Sequence, residues 1–205
     1  HDTMFGTDQG DRIFGYDGSD LAYGHGGGDL IQGGEGKDRL YGGDGDDSLS
    51  GGLDRDLLYG DAGNDFLYGG SGYDTLYGGT GRDTLYGNTG NDLIYGDGGN
   101  DVIYGGRDDD TIYGGHGDDV LYAQFAPGPD HVSPYEQNYL YGGAGDDTLY
   151  AAQDGYTEMT GGAGADVMHA NGGGEMVLAD FTPGEDQVDL TGVVPAGTDL
   201  SRLMI

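Results

Sequence analysis

Between Gly6 and Tyr122 the chain repeats itself every nine residues without a gap, thirteen times over. Position 1 of the unit is glycine in every copy. Position 6 is aspartate in every copy: Asp11, Asp20, Asp29, Asp38, Asp47, Asp56, Asp65, Asp74, Asp83, Asp92, Asp101, Asp110 and Asp119. Position 8 is Ile or Leu in all copies but one, Ala22 being the exception, and position 9 is tyrosine in ten. No proline interrupts the tract. A fixed period of this fidelity marks a repeat architecture and outranks any local reading. Nine residues are too few for a helix and its return. The unit predicts a six-residue Gly/Asp turn followed by a three-residue strand, with the position-8 side chain inward and its two neighbours outward. Two units make a coil of 18 residues, and the coils stack ~4.8 Å apart in two parallel sheets. The fold class is all-β, a right-handed parallel β-roll with position 8 as its core. At position 4, glycine supplies backbone conformations that other residues resist. Asp54 and Asp108 stand there twice, and aspartate tolerates left-handed geometry better than most.

The flanks keep the period less well. The opening "HDTMF" fits positions 5 to 9, with Asp2 at position 6, so the chain starts mid-repeat. The expectation is that His1 is a cut point in a longer protein. After Tyr122, "AQFAPGPDHVSPYEQN" carries three of the five prolines and reads as a protruding loop over 123–138. The unit resumes at Asp147, lapses around Thr157, returns at Asp166, and has Glu175 in the next position 6. From Ala179 the period is lost. The expected organisation is a regular roll over 1–122, a loop over 123–138, irregular coils over 139–178 and a cap over 179–205.

Electrostatics decides what else the fold needs. The chain has 205 residues, a formal net charge of −31 and no cysteine. No disulfide staples it, and a metal is the usual substitute. Aspartates two units apart lie on the same edge of adjacent coils. Unit charges ~4.8 Å apart repel by about 3.5 kcal/mol at an effective dielectric of 20. A divalent cation between them removes that penalty. Carboxylates with backbone carbonyls form an all-oxygen set, which selects a hard cation of calcium type. One ion per adjacent pair from Asp2 to Asp119 gives about a dozen sites, bringing the net charge to about −7. The same acidity argues against nucleic acid as a partner, and no apolar run is long enough to insert in a membrane.

The units "GGSGYDTLY", "GGTGRDTLY" and "GGAGDDTLY" resemble G-G-x-G-x-D-x-U-x, the calcium-binding repeat of the RTX (repeats-in-toxin) family. The resemblance covers 1–122 strongly and 139–191 loosely. It implies ions between turns of adjacent coils. The ligands it implies are the thirteen position-6 aspartates with Asp2, Asp147 and Asp166, and main-chain carbonyls of positions 1 to 4, among them those of Gly42, Gly51, Gly60, Gly69, Gly78, Gly87, Gly96 and Gly105. It implies no site around Thr157. The tail "LADFTPGEDQVDLTG" resembles the cap of secreted RTX proteases, epimerases and adhesins. Members of the family typically leave the cell unfolded through a type I secretion system and fold on extracellular calcium.

An enzyme is not expected in this chain, which has neither H-E-x-x-H nor G-x-S-x-G. Paired acids such as Asp46–Asp47 suggest glycosidase carboxylates, but in-register ligation accounts for them. Ice binding by a regular outward Thr/Asn array is rejected, because Thr89–Asn91 is its single instance. The tyrosines form two outward ladders: Tyr23, Tyr41, Tyr59, Tyr77, Tyr95 and Tyr113 on one face, and Tyr68, Tyr86, Tyr104 and Tyr122 on the other. Stacked tyrosines stabilise exposed strands. The alternative is a binding face for another copy, the rest of the parent protein or a polysaccharide. The expectation is a secreted or cell-surface structural module of an adhesin, surface-layer or matrix protein, or else the C-terminal module of a secreted enzyme.

Overall fold

The computed structural model describes residues 1–124, 135–172 and 174–191. In them the chain winds into a solenoid of strands numbered β1 (Thr3–Phe5) to β20 (Gln187–Asp189) in chain order. Odd-numbered strands form one ten-stranded parallel sheet and even-numbered strands another. Each strand pairs with the strand one coil away: β3 (Leu21–Gly26) matches β1 at Met4↔Ala22 and β5 (Arg39–Asp44) at Ala22↔Leu40. Every described strand backbone thereby finds partners along the axis rather than within its own coil.

The strands are longer than the sequence predicts. In the regular tract they run for six residues, from position 7 through position 3 of the next unit, and only positions 4 to 6 turn. The cause is position 1. Its glycine points inward and is buried like position 8, so the inward–outward alternation continues across the unit boundary. Position 2 then takes a positive φ, as at Gly43 (110°) and His25 (79°), and position 4 does so at Gly45 (129°). Asp54 and Asp108 adopt the left-handed region at position 4, with φ of 73° and 75°.

The core is a single file of position-8 side chains. From Ile31 to Leu149 these are almost all fully buried Leu and Ile, each worth about 1.5–3 kcal/mol of apolar burial. Met159 and Met168 continue the file, and Met176, Leu178 and Phe181 pack against its end.

The insertion leaves the register intact. Corresponding residues are 28 apart across it instead of 18, as for Asp119 and Asp147. Strand β15 (Gln137–Ala144) pairs with β13 (Thr111–His116). Ala123 still donates its N–H to the Tyr150 carbonyl at 3.0 Å. The loop is therefore narrower than 123–138, since both of its ends belong to the coil. Phe125 and His131 lie outside the described residues, and Tyr135 is exposed.

Two further expectations are corrected near the C-terminus. Strand β19 (Glu175–Leu178) pairs with β17 (Tyr156–Ala163) in the register Thr157↔Met176 and Met159↔Leu178. Met176, not Glu175, thus occupies position 6, because its own unit, which starts at Ala170, carries one extra residue in the turn. The period also survives beyond Ala179. Strand β20 pairs with β18 (Val167–His169) through Met168↔Val188, so Gly184, Asp186 and Val188 hold positions 4, 6 and 8. Residues 192–205 of the expected cap lie outside the described residues.

Candidate metal centre

The position-6 aspartates end the turns and fall in two rows, one along each edge of the roll. Edge I, where turns lead into odd strands, carries Asp2, Asp20, Asp38, Asp56, Asp74, Asp92 and Asp110. Edge II carries Asp11, Asp29, Asp47, Asp65, Asp83, Asp101, Asp119, Asp147 and Asp166. From Asp20 to Asp166 each is buried to 3 % exposure or less. One carboxylate oxygen is committed: Oδ1 accepts the backbone N–H of the aspartate one coil earlier, as from Asp56 to Asp74 and from Asp65 to Asp83, both at 2.8 Å. The other is not. In all fourteen, Oδ2 is buried without a hydrogen-bond partner.

Position-1 glycine shows where that oxygen points. A Cβ added to Gly78 would lie 2.6 Å from Asp83 Oδ2 and 2.7 Å from the Gly96 carbonyl oxygen of the next coil. An anionic acceptor and a neutral acceptor thus converge on one buried space with no donor between them. Two such oxygens together are costly unless a cation shares them. The donor set is wholly oxygen, which fits calcium. The glycine is required here because any side chain would fill the cradle. Among the described residues no three Asp, Glu, His or Cys side chains gather as a metal site; these cradles pair carboxylates with carbonyls instead.

A family profile for the RTX calcium-binding nonapeptide repeat, in four copies, matches residues 1–31, 23–58, 41–76, 59–94, 77–112, 95–124, 137–157 and 158–174. The chain belongs to the RTX calcium-binding nonapeptide repeat family. No curated protein matches it. Among solved structures it is similar to a hyperactive, Ca2+-dependent, β-helical antifreeze protein from an Antarctic bacterium. That likeness has a TM-score of 0.50 and 22% identity, over 91% of this chain and 63% of the other. The chain spans less than two thirds of that protein, and the likeness is one of fold.

Within this RTX roll the eight glycine carbonyls expected as ligands each approach the Oδ2 of the preceding coil's aspartate, from Gly42 with Asp29 to Gly105 with Asp92. Asp2 and Asp11 depart from the pattern. Asp2 is exposed and uses its N–H on Asp20 Oδ1. Asp11 Oδ2 is already satisfied by the Thr7 N–H at 2.6 Å and its hydroxyl at 2.8 Å. Three residues went unrecognised in the sequence. Asn138 holds position 6 on edge I, its Oδ1 accepting the Asp110 N–H at 3.0 Å. Asp186 holds it on edge II, accepting from Asp166 at 3.2 Å, while its Oδ2 takes the Thr182 N–H at 2.6 Å. Glu136 is buried at position 4 beside Asn138. The spacing G-x-D-x-U in "GEDQV" was the available signal for Asp186.

Burial pushes the carboxylates up. Asp56 and Asp92 rise to about 8, Asp65, Asp101 and Asp147 to about 7, and Asp38, Asp47, Asp74, Asp83 and Asp119 to about 6. The N–H from the preceding aspartate offsets part of this rise, and neighbouring carboxylates add to it for most.

The tyrosine ladders lie outside these cradles. From Tyr23 through Tyr41, Tyr59, Tyr77 and Tyr95 to Tyr113, ring centroids are 4.8–4.9 Å apart and nearly parallel. Tyr86, Tyr104 and Tyr122 stack likewise at 4.7–4.8 Å, while Tyr68 meets Tyr86 tilted at 5.5 Å. Interior rings cover one another's faces, which leaves edges and hydroxyls outward. Stacking of a sugar on an aromatic face is blocked along the ladder.

Proposed function

We propose that the chain is an extracellular structural module that folds by binding calcium after secretion and gives a rigid, displayed segment to a larger adhesin, surface-layer or matrix protein. The observation that carries the reading is the row of buried Oδ2 atoms without partners on fourteen aspartates. In thirteen of them, all but Asp166, the next coil's carbonyl meets the oxygen in one cradle, so the chain takes about thirteen ions, close to the dozen counted from sequence. Calcium supplies the missing charge when bound. The protein's own part is to hold each carboxylate by its Oδ1 bond, to keep the cradle clear of side chains with glycine, and to exclude water with the flanking strands. At cytosolic calcium the self-repulsion of the rows keeps the chain open for export. No catalytic role is assigned to it. Nor is ice binding: the outward turn residues on edge I run Ser19, Lys37, Arg55, Tyr73, Asn91 and Asp109, with no repeated Thr or Asn.

Limited proteolysis tests this. With chelator the chain should be cut throughout within minutes. At calcium levels typical of extracellular modules, roughly 10⁻⁴–10⁻³ M and above, residues 1–122 should resist. Equal resistance in both conditions would contradict the proposal.

A further inference from the structure

One face of this acidic roll carries no charge. Along the even strands β4 (Leu30–Glu35), β6 (Ser48–Leu53), β8 (Phe66–Ser71), β10 (Thr84–Thr89) and β12 (Val102–Arg107), the outward positions 2, 7 and 9 hold no Asp, Glu, Lys or Arg. The charged residues of these strands, Glu35 and Arg107, stand at position 3, where the strand enters its turn. The chain has 38 acidic residues, so an uncharged stretch of this length is not what composition alone supplies. The odd-strand face is interrupted over the same coils by Arg39, Asp61 and Asp97 at outward positions.

The uncharged face is also stepped. Ser48 pairs with Phe66 and Ser50 with Tyr68 across the boundary between β6 and β8, so small side chains adjoin aromatic ones. Beyond the step, Tyr86, Tyr104 and Tyr122 stack at 4.7–4.8 Å and cover one another. Phe66 and Tyr68 end that stack. They meet Tyr86 tilted, at 5.3 and 5.5 Å, and are 42 % and 40 % exposed. On their other side stand only the two serines. A raised aromatic rim therefore borders a low floor, and the rim leaves apolar surface in water that a contact would bury.

We propose that this face is a contact between two copies of the chain, with roll axes antiparallel, in which Phe66 and Tyr68 of each copy lie over Ser48 and Ser50 of the other. A half-turn about an axis running along the strands, between β6 and β8, exchanges rim and floor. The surface is thus its own complement, as a two-fold contact requires. Charge favours a like copy as the occupant. Two chains of formal net charge −31 repel one another, and here they meet without setting carboxylate against carboxylate. Calcium in the cradles removes most of that charge, so association should follow loading. Six strands about 4.8 Å apart and three outward positions wide, from β2 (Arg12–Asp17) to β12, offer roughly 400–500 Å² on each copy, the size of a weak, reversible contact. The inference rests on the calcium reading of the fold.

Sedimentation velocity of the full chain, saturated with calcium and followed to ~1 mM, should show exchange between monomer and dimer. F66S/Y68S removes the rim, and S50K sets a charge on the floor. Each should raise the dissociation constant about tenfold or more, with the strand signal of the calcium-loaded chain unchanged by circular dichroism. Y77S/Y95S, on the odd-strand face, should leave the dimer as it was. A loaded chain that stays monomeric throughout overturns the proposal and leaves the face to a partner of another kind. So does a dimer that either folded variant leaves at full strength, or one that Y77S/Y95S abolishes. Should F66S/Y68S fail to fold, S50K decides by itself. Failure of the calcium reading shows separately, as a chain that gains no strand signal with the ion, and that result overturns both.

Discussion

The two edges of the roll are built from one repeat yet end differently. Edge II keeps a carboxylate at position 6 from Asp11 to Asp186. Edge I keeps it only to Asp110, then runs Asn138, Thr157 and Met176 at the same register. Each replacement removes one more feature of a ligand. The amide is neutral, the hydroxyl spends itself on the Ala152 N–H at 3.1 Å, and the thioether is apolar and packs on the core. The edge that meets the insertion thus shifts from turns that carry an unpartnered buried carboxylate oxygen to turns held by ordinary hydrogen bonding and packing. Edge II is sealed instead by closure of its first and last turns: Thr7 donates to Asp11 and Thr182 to Asp186, each at 2.6 Å and four residues apart. Sequence spacing alone does not distinguish an ion-binding aspartate from one that closes its own turn; the residue at position 2 does.

The largest effect should come from removing the charges of both edges at once. The raised carboxylates bind protons more tightly in the calcium-free fold than in the open chain, where aspartate titrates near 3.9. Their contribution to that fold is complete below about pH 4 and is lost as pH rises through about 6 to 8, Asp56 and Asp92 on edge I standing at the upper end of that range. In chelator, circular dichroism should therefore show strand signal gained on acidification from pH 8 to 4. A calcium-free chain more ordered at pH 8 than at pH 5 would contradict the assignment. Calcium binding has the opposite sign and should tighten with pH over the same range, because protons compete for Oδ2.

A smaller effect should separate the middle of a row from its end. D101N removes one charge from a buried cradle on edge II and should raise the calcium midpoint of folding about tenfold, or ~1.4 kcal/mol. D2N acts on an exposed residue and should change it less than about twofold. Equal shifts would mean that the orphaned oxygens do not mark the sites. Smallest of all is the ladder. Y77S/Y95S removes two stacked rings, and cross-strand pairs are worth roughly 0.2–1 kcal/mol each, so the folded rod should persist. Sedimentation then reads the surface: if the calcium-loaded chain self-associates and the double variant does not, the ladder is the contact between copies. Association that survives the substitution assigns it elsewhere.

The regular tract was legible because its period is strict. Leu40, Asp47 and Gly42 stand where spacing puts them, and the glycine carbonyls expected as ligands meet the aspartate oxygens. Strand length was not legible, since position-1 glycine has no side chain to show that it faces inward. The register beyond Tyr122 was misjudged for a related reason. One insertion and two lengthened units, those starting at Ala151 and Ala170, shift the count, and only pairing such as Thr157↔Met176 restores it. Asn138 and Asp186 hid in segments whose glycines had gone, although their strands still pair in register.

The central claim is that calcium held between adjacent coils, along each edge, makes the fold. Small-angle X-ray scattering across a calcium titration, from chelator to millimolar, tests it most directly. A chain of this length has a radius of gyration near ~49 Å when unfolded and ~17 Å when compact. A cooperative fall between such values as calcium enters, to a short rod, is the predicted result. A radius that is already compact in chelator at neutral pH, or that never contracts, would show that the carboxylate rows do not depend on the ion.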